Sequence, residues 1–184
     1  KNIDVPFMIA SDCMDSSYWI RIAESVEKML NDKEISGVIV THGTDFLGYT
    51  GAVLSFFLHK LGKPVVLTYS QRSIDRASSD ANLNLQCAAR MAVSDCAEVM
   101  IVGHATINDD FCYAMPGTKT RKMHSSRRDA FKVVNAGEIA KVWADGKIEF
   151  LREYRVKDEK KKVELDVNFN DKVALVKFYP GQDP

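Results

Sequence analysis

A hydroxyl stands beside a carboxylate at the end of the run Val40-Thr41-His42-Gly43-Thr44-Asp45. The β-branched, apolar stretch Gly37–His42 suits a short buried strand, so Thr44 and Asp45 fall where a strand ends and a turn begins. Gly43 permits a tight turn and the close approach of a ligand to the backbone. A hydroxyl next to a carboxylate suits a nucleophile, or a water-activating group whose partner is oriented by charge. Taken alone, the same residues read first as a plain turn capped by its aspartate. Metal chemistry has less to work with. Cys13, Cys87, Cys96 and Cys112 are scattered, with no CxxC pair and no histidine spaced to complete a zinc site. They are expected to be buried, reduced thiols.

The elements that must position Thr44 and Asp45 can be read from periodicity. Trp19, Ile22, Val26 and Met29 recur at helical spacing, which predicts a helix over residues 16–31 with Asp15 or Ser16 as N-cap. A second helical pattern covers Tyr49–Leu61 and is stopped by Gly62 and Pro64. Pro64–Tyr69 and Glu98–Gly103 read as buried strands, and between them Asp80 is expected to cap a helix running to about Ser94. Helix and strand thus alternate as in βαβ units, predicting an α/β fold with a parallel sheet and helices on both faces. Ligands of such sheets lie beyond the carboxyl ends of the strands. Ala144-Asp145-Gly146 between two strand-like runs is a hairpin signal.

The composition is that of an ordinary globular chain: 184 residues, 46% hydrophobic, 27% charged and formally neutral. A neutral chain is a poor match for a nucleic-acid backbone, so any RNA is expected to be held by a partner. No apolar run is long enough for a membrane span, and no secretory pattern opens the chain. A cytoplasmic location is expected.

Several runs are similar to those of the asparaginase family. Thr41–Asp45 resembles that family's signature T-H-G-T-D-T, with Phe46 in place of the last threonine. Lys63–Thr68, Ser70-Gln71-Arg72 and Ser78-Ser79-Asp80 resemble three further blocks, with Tyr69 standing where the family has glycine. Lys122, followed by Phe131 and Asn135, matches the stretch holding the family's catalytic lysine. Within the family, Arg121–Phe131 and Val173–Gly181 are similar to the D subunits of archaeal Glu-tRNA(Gln) amidotransferases, as is His104-Ala105-Thr106 with Asp109, Asp110 and Cys112.

That resemblance implies a flavodoxin-like domain and an amidohydrolase that releases ammonia from glutamine or asparagine. An E-type partner subunit would use the ammonia to amidate Glu-tRNA(Gln), meeting the tRNA itself; a homodimer is also implied, and no metal or organic cofactor. Carried over by position, Thr44, Asp45 and Lys122 resemble the hydroxyl–carboxylate–lysine triad, and Ser11 and Asp12 the pair that holds the substrate. A lysine acting as base must be neutral, and from an ordinary pKa that costs roughly 4 kcal/mol near pH 7. An adjacent carboxylate favours the charged form, so Asp45 is expected to orient Lys122 and stabilise it once protonated. By residue type alone, Lys122 reads first as a member of a basic surface turn with Arg121, Arg127 and Arg128; for Ser11-Asp12 the alternative is a polar cluster leading into a helix. The family's primary nucleophile, the threonine of a T-G-G-T signature, is expected upstream of Lys1. The chain is therefore expected to be a fragment: residues 1–151 an asparaginase-like N-terminal domain, 152–171 an exposed linker, and 172–184 the first strand of a second domain. A stand-alone cytosolic L-asparaginase and a catalytically inactive, ligand-binding relative stay open as alternatives.

Overall fold

A computed structural model describes residues 3–182. The chain opens with an irregular segment and a short 3-10 turn, Ser11–Cys13. Helix α1 follows at Ser16–Leu30, its first turn capped by the Asp15 carboxylate, which accepts from the Ser17 backbone N–H at 2.9 Å. Its other end is capped from a distance. The buried Lys63 ammonium donates to the helix's last carbonyl, Leu30 O, at 2.8 Å, and to Asp32 O in the turn beyond it at 2.7 Å, satisfying a group that the helix end leaves open.

Strand β1 (Val38–Thr41) leads to helix α2 (Leu47–Phe57), the two-residue strand β2 (Leu58–His59), and strand β3 (Val65–Thr68). Helix α3 (Ala81–Ala92) and strand β4 (Val99–His104) complete the alternating half. Strands β1, β3 and β4 pair in parallel, with Thr41 opposite Thr68 and Thr68 opposite Val102, so the carboxyl ends of β1 and β3 are level and β4 runs two residues further, to His104. Beyond β4 the sheet changes direction. Strands β5 (Cys112–Pro116), β8 (Ala140–Val142) and β9 (Ile148–Phe150) continue it antiparallel, in the order β1-β3-β4-β5-β8-β9. The α/β expectation holds, with a mixed sheet rather than a wholly parallel one.

Both faces are covered. Val65, Leu67 and Ile101 point into the cluster shared with Ile22 and Val26 of α1 and Leu54 of α2. Val66, Met100 and Val102 point the other way, against Cys87, Ala88 and Met91 of α3. This alternation along β3 and β4 explains why these strands read as continuous apolar runs: each side of the pleat meets a helix.

Other expectations need correcting. Helix α2 starts at Leu47 and ends at Phe57, short of Gly62, because Leu58–His59 leaves it to pair antiparallel with β10 (Glu164–Leu165). Asp80 sits at the N-terminus of α3 but makes no side-chain cap. Its carboxylate instead accepts from Gln71 N and Arg72 N, both at 2.9 Å, and from Ser70 Oγ at 3.0 Å, tying down the loop after β3. Cys13 is exposed, while the other three thiols are buried. Residues 152–168 are laced to the domain. Lys157 N donates to Asp95 O, Asp158 N to Gly62 O, and the Asn31 amide pairs with both backbone groups of the buried Val163. Over Lys172–Tyr179 there is no strand; Val173, Leu175 and Phe178 are exposed without a ladder partner. A strand needs a neighbour to satisfy its backbone.

Candidate active site

Thr44 and Asp45 follow β1 directly, at the carboxyl edge of the sheet. Lys122 arrives from far along the chain, at the end of β6 (Thr120–Lys122), which pairs with β7 (Phe131–Val133) in a two-stranded ribbon beside the sheet. Its ammonium meets both residues, donating to Thr44 Oγ1 at 2.8 Å and to Asp45 Oδ1 at 2.9 Å. The lysine side chain is 19% exposed and the aspartate 57%. The pair is therefore half in solvent, and its energy is discounted by screening; its significance is geometric. A hydroxyl and a carboxylate share one amine at hydrogen-bond distance, as proton transfer requires.

Ser11 joins them from the 3-10 turn. Its buried hydroxyl accepts from the Asp45 backbone N–H at 3.2 Å. The turn packs so closely that a Cβ on Gly43 would lie 2.6 Å from Ser11 Oγ, and glycine is what permits the approach. Asp12 lies next to Ser11, exposed, and its carboxylate makes no hydrogen bond or ion pair among the described residues. A hollow of about 550 Å³ flanks the lysine, lined by Asp45, Tyr49, Thr120, Arg121, Lys122 and Asn135. On the other side, Ser11, His42 and Gly43 border an apolar hollow of about 600 Å³ under the first residues of the described chain. Among the described residues no three His, Cys, Asp or Glu side chains come together to hold a metal ion.

Three supports of this site were not legible as such. The first is a hydrogen-bonded chain through the core. Trp19 Nε1–H donates to the buried Thr50 Oγ1 at 2.9 Å, and Thr50 Oγ1 lies 2.9 Å from His42 Nε2. Gly43 O, 2.6 Å from Nδ1, can only accept, so Nδ1 carries the proton of the neutral ring, and Nε2 accepts the proton of the Thr50 hydroxyl. Burial pushes the His42 pKa below its ordinary value, in keeping with a neutral ring that fixes the peptide before Thr44. A lone threonine in the apolar helix α2 was the available signal.

The second support is a buried cluster behind the β3 and β4 ends. His104 is fully buried between Asn84 Oδ1 (2.6 Å) and Asp109 Oδ1 (2.9 Å). The Asn84 amide is oriented by its donation to Tyr69 O and Asp80 Oδ2. Asp109 also accepts from Arg128; the His104 bond, then Arg128, hold its pKa below the usual range. The third is Asp129 at the base of the loop after Lys122. Burial pushes its carboxyl up, but bonds from Lys132 and a two-pronged Arg127 outweigh this and set it low.

The two departures from the family pattern are accommodated by packing. Phe46 leans on the core and on Tyr49, edge to face at 5.6 Å. Tyr69 is buried against Phe131 and lines neither hollow.

Known proteins share this architecture. The family described as "Asparaginase, N-terminal" matches residues 2–155. The D subunit of glutamyl-tRNA(Gln) amidotransferase from Thermococcus kodakarensis is 56% identical over 175 residues, which is 95% of this chain and 40% of that protein. The corresponding D subunit of Methanothermobacter thermautotrophicus is 46% identical over 178 residues, 97% of this chain and 40% of the relative. The chain thus spans well under half the length of these relatives. Among solved structures, L-asparaginase I from Vibrio cholerae superposes with a TM-score of 0.79 at 25% identity, covering 96% of this chain and 51% of that one. The thermostable L-asparaginase from Thermococcus kodakarensis gives a TM-score of 0.76 at 29% identity, covering 86% and 45%. With its matched residues holding the sheet and both parts of the lysine site, the chain belongs to the asparaginase family.

Proposed function

We propose that this chain carries the amide-cleaving site of a larger enzyme that releases ammonia from glutamine or asparagine. The observation that carries the reading is the single ammonium of Lys122 held on Thr44 Oγ1 and Asp45 Oδ1. In its neutral form Lys122 accepts the proton of a hydroxyl or water placed against Thr44, and Asp45 stabilises the resulting ammonium. The attacking oxygen bonds to the carboxamide carbon. The carbon–nitrogen bond then breaks as the nitrogen takes up a proton and leaves as ammonia, and water cleaves any acyl intermediate. Ser11 and Asp12 are placed to receive the amino-acid end of the substrate: a hydroxyl for the α-carboxylate and an exposed carboxylate for the α-ammonium. Family resemblance supplies the acyl-forming threonine from a segment upstream of Lys1.

The names of the relatives at 46–56% identity support a place as the D subunit of a Glu-tRNA(Gln) amidotransferase. On this reading a partner subunit uses the ammonia to amidate Glu-tRNA(Gln), and the chain meets tRNA through that partner. The region after residue 171 begins a second domain, and the whole protein acts as a homodimer in the cytoplasm. A stand-alone L-asparaginase is the second reading, favoured by the fold neighbours, though at 25–29% identity. Two measurements on the full-length protein decide. Ammonia release from glutamine and asparagine tests the chemistry, and its absence from the purified complex would end the amidase reading. Copurification of a second subunit that forms Gln-tRNA(Gln) from Glu-tRNA(Gln) separates the amidotransferase from the free asparaginase.

A further inference from the structure

We infer that Tyr69 is a positioning residue for Lys122, holding up the ribbon that presents the ammonium; this rests on the role given to Lys122 above. Strands β6 and β7 are three residues each, and a two-stranded ribbon is at best marginally stable on its own. Lys122 lies at its open end, opposite Phe131 in the ladder, and Met123 N donates to Ala130 O at 2.7 Å just beyond. At the Lys122 end the ribbon meets the domain through the buried Phe131, while at the other end Thr120 Oγ1 donates to Pro116 O at 2.7 Å. The Tyr69 ring packs on Phe131 with centroids 4.4 Å apart, and Tyr69 Oη donates to Arg128 O at 3.3 Å in the same loop. Tyr69 itself is rigidly placed, directly after β3 and 4% exposed.

The neighbouring strand is cut to fit this ring. A Cβ on Gly103 of β4 would lie within 2.5 Å of Tyr69 Oη and of two ring carbons, an approach no real side chain tolerates. The loop beyond Tyr69's contact is pinned in turn: Arg128 donates to Asp109 Oδ1 at 2.9 Å, Ile107 O at 3.3 Å and Ser78 O at 2.8 Å. The ring therefore contacts the far side of the lysine's own ladder pair and does not line the hollows beside the triad. Its effect on chemistry passes through Lys122, where a displacement of about 1 Å can cost roughly 100-fold in rate.

The test is made on the full-length protein with Tyr69→Leu and Tyr69→Phe. The acylation rate of Lys122 by dilute acetic anhydride is measured by mass spectrometry relative to the exposed Lys33, together with kcat and KM for glutamine. In Tyr69→Leu the relative acylation of Lys122 rises severalfold and kcat falls about 10- to 100-fold, with KM little changed. Tyr69→Phe, which keeps the ring, restores both to near wild-type values. An unchanged acylation ratio overturns the inference. So does a raised KM at unaltered kcat, which would put the ring against substrate. Should Tyr69→Leu not fold, Phe131→Leu removes the same contact from the ribbon side. Lys122→Met, run in parallel, tests the catalytic reading separately. Full activity there would sink the role of Lys122 while the acylation ratio still decides the positioning of it by Tyr69.

Discussion

The Lys122 ammonium touches two oxygens that ask different things of it. A hydroxyl or water placed against Thr44 Oγ1 needs a neutral amine to give its proton to, while Asp45 Oδ1 favours the charged one. Such a site works only with a group that can shed and regain a proton, which leads to the first prediction. Lys122→Met lowers kcat in the full-length protein by about 1,000-fold or more, on the scale of losing an acid–base group. Lys122→Arg fails to restore it, since a guanidinium stays charged in proteins. Recovery with arginine would show that only positive charge matters. Asp12 makes a contrasting case, an exposed carboxylate beside the buried Ser11. If it binds the substrate ammonium, Asp12→Asn raises KM about tenfold, equivalent to some 1.4 kcal/mol, and leaves kcat nearly intact. A KM equal to wild type removes Asp12 from the site.

Among the elements, strand β1 and the turn after it are set by the chain Trp19–Thr50–His42–Gly43, which joins α1, α2 and the site. The ring is neutral in the fold because burial lowers its pKa. The unfolded chain binds a proton near pH 6.5, and the folded chain only at lower pH, so the unfolded state holds more protons between the two values. His42 therefore supports stability fully above about pH 6.5, and that contribution is lost as pH falls toward the folded value. The denaturant midpoint should drop between pH 7.5 and 5.5, and His42→Gln should flatten part of that drop; an identical slope in the variant refutes the assignment. This chain also marks the limit of what sequence periodicity can reveal. Strands β1, β3 and β4 were legible as short apolar runs, β3 and β4 being buried on both faces, and helix α1 from the helical period of its covered face. Of the antiparallel half only the β8–β9 hairpin was legible, from Asp145-Gly146 at its turn; β5 was not, since it alternates little. The ribbon that delivers Lys122 has strands of three residues, so Lys122 was found by resemblance, whereas its neighbours in space were set by ladder pairing that no local pattern encodes. Thr50, Asn84 and His104 are polar groups whose partners lie in other elements.

On the scale of the whole molecule, the question is where the cooperative unit ends. Composition marked residues 152–171 as a charged connector, yet charge on the surface does not exclude backbone pairing beneath it. Ala97 N bonds to Arg155 O, Asp166 N to Phe57 O, β10 pairs with β2, and Phe169 lies edge to face with Trp19 and Phe57. Val163 is 5% exposed in the cluster of α1 and α2. Beyond Asn170 these contacts stop. Val173, Leu175 and Phe178 are 76%, 83% and 82% exposed, so they contribute no burial to the domain. Two truncations of the 184-residue chain follow from the contrast. Ending after Asn170 should leave Tm within about 2 °C, because for a domain of this size 1 kcal/mol moves Tm by roughly 2–4 °C. The shorter chain should also self-associate less, having lost an exposed apolar run. Ending after Leu151 removes Val163, the Asn31 pairing and β10 together. Burying one valine is worth about 1.5–3 kcal/mol and each hydrogen bond about 1 kcal/mol, so Tm should fall by roughly 10 °C or more. Calorimetry of the three chains reads both outcomes. A large loss on ending after Asn170 would mean that the last residues pack on the domain. No loss on ending after Leu151 would restore residues 152–168 to the status of a free linker.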